Sequence, residues 1–427
     1  MAKAVVLGGS GFIGMACARA LEAEGFDVVS LSRSRPLGWG GEWISADISK
    51  LSDAEWQTLM RHADVVVNAA GALQDGARDS LERVHVHAVE RMVRALQGSP
   101  ARVVQISAAG VDAQADTHFF RTKALGDNTL MQGHDNWVVL RPGLVIGPEA
   151  YGGTALLRAH AGFPGISWRL FDAATIQTVS LADVVGAVVA CARGDVPSGL
   201  VAELAEDTPH EFAELSEQVR RWQGFTAQRM AAPMPGPLLR LLAGFADVAG
   251  WLGWRSPLRS TSLRVMQAGI HADVSNWQKI SGKRLSSLEE TLSSLPAHTQ
   301  ERWFARMYLL LPLTILVLSV FWLLSGLVGV MQTSAAIEVL VSRGQTESFA
   351  RVAVLGGSFL DIGLGAAILW RRWARAAAAG MLLVSFAYLV GSLLFAPDLW
   401  LDPLGPMVKV LPSMLAALIP LMFLEKR

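Results

Sequence analysis

The sequence predicts an α/β protein, a doubly wound parallel sheet with a small variable lobe, followed by an all-α domain of four transmembrane helices. Three observations carry this reading. The first 150 residues alternate short β-branched runs with helix-periodic stretches, the pattern of strands covered on both faces by crossover helices. A glycine cluster follows the first of those runs directly. Charge is also unevenly spread, with 14 charged residues in the last 121 and 60 in the first 306.

At 427 residues the chain exceeds one ordinary domain. The expected division is a dinucleotide-binding core over 1–150, remaining core elements with a variable substrate lobe over 151–300, and a membrane domain over 307–427. Lys plus Arg equal Asp plus Glu at 37 each, which argues against a nucleic-acid binder working through a basic stripe. Two cysteines, Cys17 and Cys191, are too few for a disulfide framework or a thiolate metal site and fit a reducing compartment. A 52% hydrophobic content and a mean hydropathy of +0.35 are high for a purely soluble chain. The opening MAKAVVLGGSGFIG reads as a strand and glycine turn, not as a secretory leader.

In chain order, Ala4–Leu7, Val28–Leu31, Val65–Asn68, Val103–Ile106 and Val138–Leu140 read as buried strands. Gly14–Gly25 and Ser80–Leu96 read as helices between them. Beyond residue 150, Glu203–Trp222 and Leu285–Leu295 read as helices. Leu238–Trp254, introduced by Pro233, Pro235 and Pro237, is an apolar helix with two open readings: it lies on a membrane surface, or it belongs to the substrate lobe.

The run Gly8-Gly9-Ser10-Gly11-Phe12-Ile13-Gly14 closes the first strand and opens the first helix. Glycines there permit a tight turn and a close approach of backbone N–H groups to a pyrophosphate, which the helix N-terminus favours. The second strand ends in Leu31-Ser32-Arg33-Ser34, where an NAD-specific site would carry an acidic residue for the ribose 2′-hydroxyl. Arg33 can instead pair with a 2′-phosphate, with Ser32 and Ser34 as hydrogen-bond donors, so NADP(H) is favoured over NAD(H).

With Asp47-Ile48, Asn68-Ala69-Ala70-Gly71 and Leu140-Arg141-Pro142-Gly143 added, the chain resembles the short-chain dehydrogenase/reductase superfamily in its extended or atypical branch. It is similar in particular to the group of the nucleotide-binding accessory subunit of respiratory complex I. The resemblance implies a Rossmann-type fold, with Asp47 and Ile48 near adenine and Asn68–Gly71 and Arg141–Gly143 lining the cofactor. It also implies a Tyr-x-x-x-Lys pair, which this chain meets with Phe119-Phe120-Arg121-Thr122-Lys123. Lys123 is kept to hold the nicotinamide ribose, and Phe119 stands where the proton-donating tyrosine belongs. Ser107 is the hydroxyl expected after the preceding strand. Tyr151 and His118 are the substitute proton donors the sequence offers, and His85 stands near the place of a family asparagine. His85 and His87, two apart on a helix, point in different directions, so no metal site is expected. Cys17 is read as a small core residue.

Two functions compete. One is a membrane-anchored NADP(H)-dependent oxidoreductase acting on a lipophilic or quinone-type substrate. The other is a non-catalytic nucleotide-binding assembly or redox-sensing factor for a membrane complex.

Four segments are expected to span the bilayer: 307–330, 352–370, 376–396 and 404–424. The first holds 24 residues without a charge, roughly 36 Å as a helix. Arg302 and Arg306 before it, Arg371, Arg372 and Arg375 between the second and third, and Lys426 and Arg427 at the end place both termini in the cytoplasm, with a bacterial inner membrane as the expected setting. Trp322-Leu323-Leu324-Ser325-Gly326, Asp361 with its glycines, and Pro397–Pro406 running into Lys409 resemble the DoxX-like four-helix domain, some of whose members are linked to quinone chemistry. Gly357, Asp361 and Gly365 share one helix face, so the Asp361 carboxyl must face the bundle. Lys409 is expected to snorkel outward or to pair with Asp398 or Asp402.

Overall fold

The computed structural model describes all residues except 36–37, 77–78, 229, 404 and 425–427. Lys426 and Arg427, used above for orientation, and Leu404, the expected start of the last span, lie outside the described residues. The chain divides into two compact units, Met1–Asp247 with Ser256–Ala305, and Val248–Arg255 with Arg306–Arg427.

The first unit is built on a seven-stranded parallel sheet. Its strands are β1 (Lys3–Leu7), β2 (Asp27–Ser32), β3 (Glu42–Ser45), β4 (Val65–Asn68), β5 (Arg102–Ile106), β6 (Trp137–Pro142) and β7 (Leu200–Leu204). Their order is β7-β6-β5-β4-β1-β2-β3, so the winding reverses beside β1, which pairs β2 on one side and β4 on the other. Successive side chains of β1 feed opposite cores: Ala4 and Val6 join one cluster with Cys17, Leu21 and Val188, while Val5 and Leu7 join the other with Trp56, Met92 and Leu130. This two-residue alternation on apolar strands is what a sheet covered on both faces requires. Burial of Cys17 pushes its thiol up to about 12, leaving an inert core group.

Helices α1 (Phe12–Ala23), α2 (Asp53–Met60), α3 (Ala88–Ala95) and α4 (His118–Gly133) fill the crossovers among the first six strands. Ser52 and Glu55 form a capping box at the start of α2. Two sequence expectations are corrected here. Residues 203–211 are not helical: β7 runs through Glu203 and Leu204, a short strand follows at His210–Glu211, and the helix begins at Phe212. The alternating burial of LVAEL, an edge strand with one face open, hides it within an acidic run. The Ser80–Leu96 stretch is helical but carries a π turn at Arg83–His87, a wide turn of the kind that often re-aims side chains at functional sites. Farther along, Leu288 and Leu292 close a third core with Ile146, Ile176 and Phe212.

In the second unit, α5 (Leu310–Met331), α6 (Glu347–Ala367), α7 (Ala374–Phe395) and α8 (Val410–Phe423) are apolar helices. Among the described residues, three helical stretches are long and apolar enough to cross a membrane: Thr299–Met331, Glu347–Ala367 and Ala374–Phe395. The fourth is shorter than the expected 404–424 segment, with 14 residues, about 21 Å at the α-helical rise. Its late start has a local cause, because Pro403, Gly405 at φ +57° and Pro406 resist helix formation. A helix at Thr333–Val341 also occupies the expected loop.

Small residues bring α5 and α6 together, with the Ser319 hydroxyl donating to the Gly365 carbonyl across 2.7 Å. Asp361 is buried and joins three helices, accepting from Ser325 on α5 and from Tyr388 on α7, each at 2.9 Å. Asp398 pairs with Arg343 through both carboxylate oxygens, and Lys409 is exposed at the start of α8.

Candidate functional site

The glycine turn joins β1 to α1 at the reversal of the sheet, where doubly wound folds place their ligands. Gly8 has φ +78°, and a Cβ there would lie 2.8 Å from the Ala70 backbone. A Cβ on Gly14 would overlap the Gly8 carbonyl oxygen. The turn is pinned by the Gly8 and Gly9 amides donating to the Leu31 carbonyl at 2.9 and 3.1 Å and by the Gly11 amide donating to Gly8 at 2.8 Å. Helix α1 starts with Gly11 as its N-cap and makes its first helical bond from the Met15 amide. The amides of Phe12, Ile13 and Gly14 therefore have no acceptor within the helix, and no acidic side chain stands in its first turn. This is a concave run of N–H groups suited to a pyrophosphate, so the residues present fit a dinucleotide.

Around the turn, Asn68 is buried; its amide donates to Gln105 Oε1 at 2.8 Å, and its Oδ1 accepts from the Ala70 amide at 3.2 Å. That bond holds the Ala69–Gly71 backbone against Gly8. Asp47 accepts from the Ser49 amide and hydroxyl at 3.1 and 2.7 Å, and Ile48 is buried beside it. Ser32 donates to the Ser34 carbonyl at 2.8 Å and accepts from the Trp43 indole at 3.0 Å. Arg33 is half-exposed and meets Asp79 at 2.6 Å. Sequence reasoning gave Arg33 no protein partner, and Asp79 supplies one from 46 residues away.

The second cluster forms where α4 crosses the ends of β5 and β6. Lys123 is buried and donates to the Ile106 carbonyl at 2.8 Å. Burial pushes its ammonium below the usual lysine range, and the carboxylate of Asp127 opposes that shift. One helical turn on, Asp127 Oδ2 accepts from the Ser107 hydroxyl at 2.7 Å and from Arg141 at 3.1 Å. Burial pushes this carboxyl up, against the Ser107 hydroxyl and the charges of Lys123 and Arg141. Its Oδ1 is buried and has no hydrogen-bond partner among the described residues. The structure thus unites Ser107, Lys123 and Arg141 around Asp127, which sequence reasoning missed; its spacing of four from Lys123 was the available signal. Pro142 accepts from the Ala109 amide at 2.9 Å, and Gly143 donates to the Leu204 carbonyl at 2.9 Å.

Phe119 and Phe120 are buried with Leu81, Val111 and Ala124, their rings 5.2 Å apart. The π turn aims His85 at this cluster, edge-on to Phe119 with ring centroids 5.7 Å apart. Its Nε2 accepts from the Ala72 amide at 3.2 Å, which leaves Nδ1 to donate to the Thr122 hydroxyl at 2.9 Å. Burial first, then the Lys123 and His118 charges, push His85 down to about 2, so it is neutral. His87 is exposed and faces Glu90, whereas His85 is buried. Among the described residues no group of three His, Cys, Asp or Glu side chains is placed to hold a metal ion.

The two substitute donors are placed elsewhere. Tyr151 is exposed and stacks on Phe12 of the glycine turn, with ring centroids 5.8 Å apart and planes within 6°. His118 is half-exposed and faces Asp75 at 3.3 Å.

Two regions of the chain are similar to known families. Residues 4–155 match the NAD dependent epimerase/dehydratase family model, and residues 319–418 match that of the DoxX-like family. The mitochondrial NADH dehydrogenase [ubiquinone] 1 alpha subcomplex subunit 9 of Dictyostelium discoideum is 22% identical over 224 residues, covering 51% of this chain and 62% of that protein. The dTDP-6-deoxy-L-talose 4-dehydrogenase (NAD(P)(+)) of Kitasatospora kifunensis is 36% identical over 110 residues, covering 25% of this chain and 35% of that protein. The chain thus spans less than two thirds of the length of either relative. Among solved structures, UDP-glucuronic acid 4-epimerase from Bacillus cereus in complex with NAD shares the fold, with a TM-score of 0.52 and 16% identity over 72% of this chain and 99% of that one. The chain thus combines an N-terminal region similar to the NAD dependent epimerase/dehydratase family with a C-terminal region similar to the DoxX-like family.

Proposed function

We propose that the N-terminal unit binds NADP(H) at a membrane crossed by the C-terminal helices, and that it acts as a nucleotide-responsive assembly or sensing factor for a membrane complex. The observation that carries this reading is the environment of Phe119. In the family's reaction that position must exchange a proton with the substrate oxygen, and a phenyl ring among Leu81, Val111, Phe120 and Ala124 has none to give. Neutral His85 spends both ring nitrogens on Ala72 and Thr122, so it does not replace the missing acid. Similarity to accessory subunits of a respiratory complex supports the same reading.

In this proposal the Gly8–Gly14 turn holds the pyrophosphate, Asp47 and Ile48 border adenine, and Asn68–Gly71 and Arg141–Gly143 line the cleft. Lys123 holds the nicotinamide ribose. Arg33, with Ser32 and Ser34, takes the 2′-phosphate, which must displace Asp79 from the guanidinium. A bound nicotinamide coenzyme would supply hydride chemistry only in the reductase reading given next. The arginines of the short loops orient both termini toward the cytoplasm of a bacterial cell.

A second reading keeps the reductase. Ser107 and Lys123 meet at one buried network with Asp127, which supports an oxidoreductase acting on a lipophilic or quinone-type substrate with a proton from Tyr151 or from water.

Calorimetry on the detergent-solubilised full chain tests both. Binding of NADPH tighter than NADH, without NADPH consumption on carbonyl or quinone substrates, is expected. Heat with neither coenzyme overturns both readings, and turnover selects the second.

A further inference from the structure

Gly236–Trp251 is one continuous helix, and it is built inside out for a protein in water. Ala243, Ala246 and Gly250 are the residues it turns inward. Leu238, Leu241, Leu242, Phe245, Val248 and Trp251 stand outward, Phe245 and Trp251 each with 64% of their surface open. Spacings of three and four place the six large side chains along one side, over about 20 Å of helix. A soluble helix hides its large apolar residues and shows its small or polar ones, so this face needs an apolar cover.

The C-terminal end of the same segment shows what that cover is. The Trp254 indole donates to the Leu369 carbonyl at 2.6 Å, and the Arg371 amide donates to the Leu252 carbonyl at 3.0 Å. The Arg371 guanidinium lies over the Trp254 ring, 5.5 Å from its centre. Leu369 and Arg371 follow α6, a span-length helix, in a turn that exposes Trp370 and Trp373 and carries Arg372, with Arg375 in the first turn of α7. Tryptophans and arginines at the end of a spanning helix mark the headgroup level of a bilayer. Val248 and Trp251 of the stripe belong to the same compact unit as that turn, and Arg240 and Arg255 are exposed along the segment.

We infer that Gly236–Trp251 is an interfacial helix whose Leu238–Trp251 stripe lies in the headgroup–acyl boundary of the same bilayer. This rests on reading the C-terminal helices as membrane-spanning. The stripe is a lipid-binding surface on a helix whose opposite side, at Ala243 and Ala246, is buried.

Spin labels on the full chain test it, in vesicles of about equal parts phosphatidylcholine and phosphatidylglycerol. Labels are attached through Leu241→Cys or Phe245→Cys on the stripe, Arg240→Cys beside it, and Leu316→Cys on the outer side of α5. Cys17 and Cys191 are buried and supply little background. The collision rate with oxygen relative to a water-soluble nickel chelate is expected to be severalfold higher at 241 and 245 than at 240, approaching that at 316. If 316 reads lipid while 241 and 245 read water, the interfacial helix is wrong and the membrane reading stands. If 316 itself reads water, the membrane reading falls and takes this one with it. Exclusion of both reagents at 241 and 245 means protein covers the stripe, a second copy included, and also overturns the inference. Trp251→Cys gives an independent reading where either stripe variant folds poorly.

Discussion

The Ser107 hydroxyl donates to Asp127 Oδ2 across 2.7 Å, and the Asp127 side chain is wholly buried. Arg141 closes the same oxygen from β6. Removing the carboxylate leaves a guanidinium with 20% of its side chain open and no counter-charge in that network. Asp127→Ala is expected to cost about 3 kcal/mol of stability, with Asp127→Asn costing less because the amide oxygen still accepts. Thermal melts of the detergent-solubilised chain, followed by near-ultraviolet circular dichroism, check the order.

His85 makes stability acid-sensitive. Its folded value of about 2 lies below the ordinary 6.5, so the fold favours the neutral ring. That contribution is complete above pH 6.5 and is lost as pH falls from 6.5 toward 2, at roughly 1.4 kcal/mol per pH unit. At about pH 5 the loss is about 2 kcal/mol. His85→Gln, which cannot protonate there, is expected to narrow the gap between melting temperatures at about pH 7.5 and about pH 5.

Arg33 is expected to set coenzyme preference. Arg33→Ala should weaken NADPH binding about tenfold and leave NADH within about twofold, as expected for loss of one charge-assisted phosphate contact. Asp79→Asn should shift the preference the other way by freeing the guanidinium. Calorimetry with both coenzymes on both variants reads the ratio. Equal losses for NADPH and NADH in Arg33→Ala would remove the 2′-phosphate argument.

Phe119→Tyr probes the missing acid. A general acid contributes about 100-fold or more to such a step. The sensing proposal predicts that the variant consumes NADPH no faster than the parent chain with carbonyl substrates. A gain of about 100-fold would reveal an otherwise assembled reductase.

In the second unit, Asp361 ties Ser325 and Tyr388 to one carboxyl. Asp361→Leu is expected to lower the melting temperature of the solubilised protein by leaving two hydroxyls without acceptors, at about 1–3 kcal/mol for each group that stays buried. Asp361→Asn, which still accepts, should lose less.

What the sequence revealed follows from where partners lie along the chain. The glycine turn was legible because its residues are contiguous and its geometry is local. Five strands of the first 150 residues were legible as β-branched runs buried on both faces, whereas β3, an edge strand with no buried residue, was not. Glu203 and Leu204 misled because LVAEL sits at the sheet edge, where half its side chains meet solvent. Asp127 was missed because Ser107 and Arg141 lie 20 and 14 residues away. Asp79 hid for the same reason, and no local pattern announces a pair with Arg33. The late start of α8 was written in Pro403, Gly405 and Pro406, whose breaking power the apolar run around them obscured.

Residues 248–255 belong with the helical tail, yet the next fifty residues return to the N-terminal unit and complete its core with Leu288 and Leu292. The two units are interleaved along the polypeptide. Cleavage at any one peptide bond therefore leaves a fragment either lacking a piece of its own interior or carrying an apolar piece of the other. A cut after Ala305 frees every residue of the first unit, but with the apolar 248–255 segment of the second still attached.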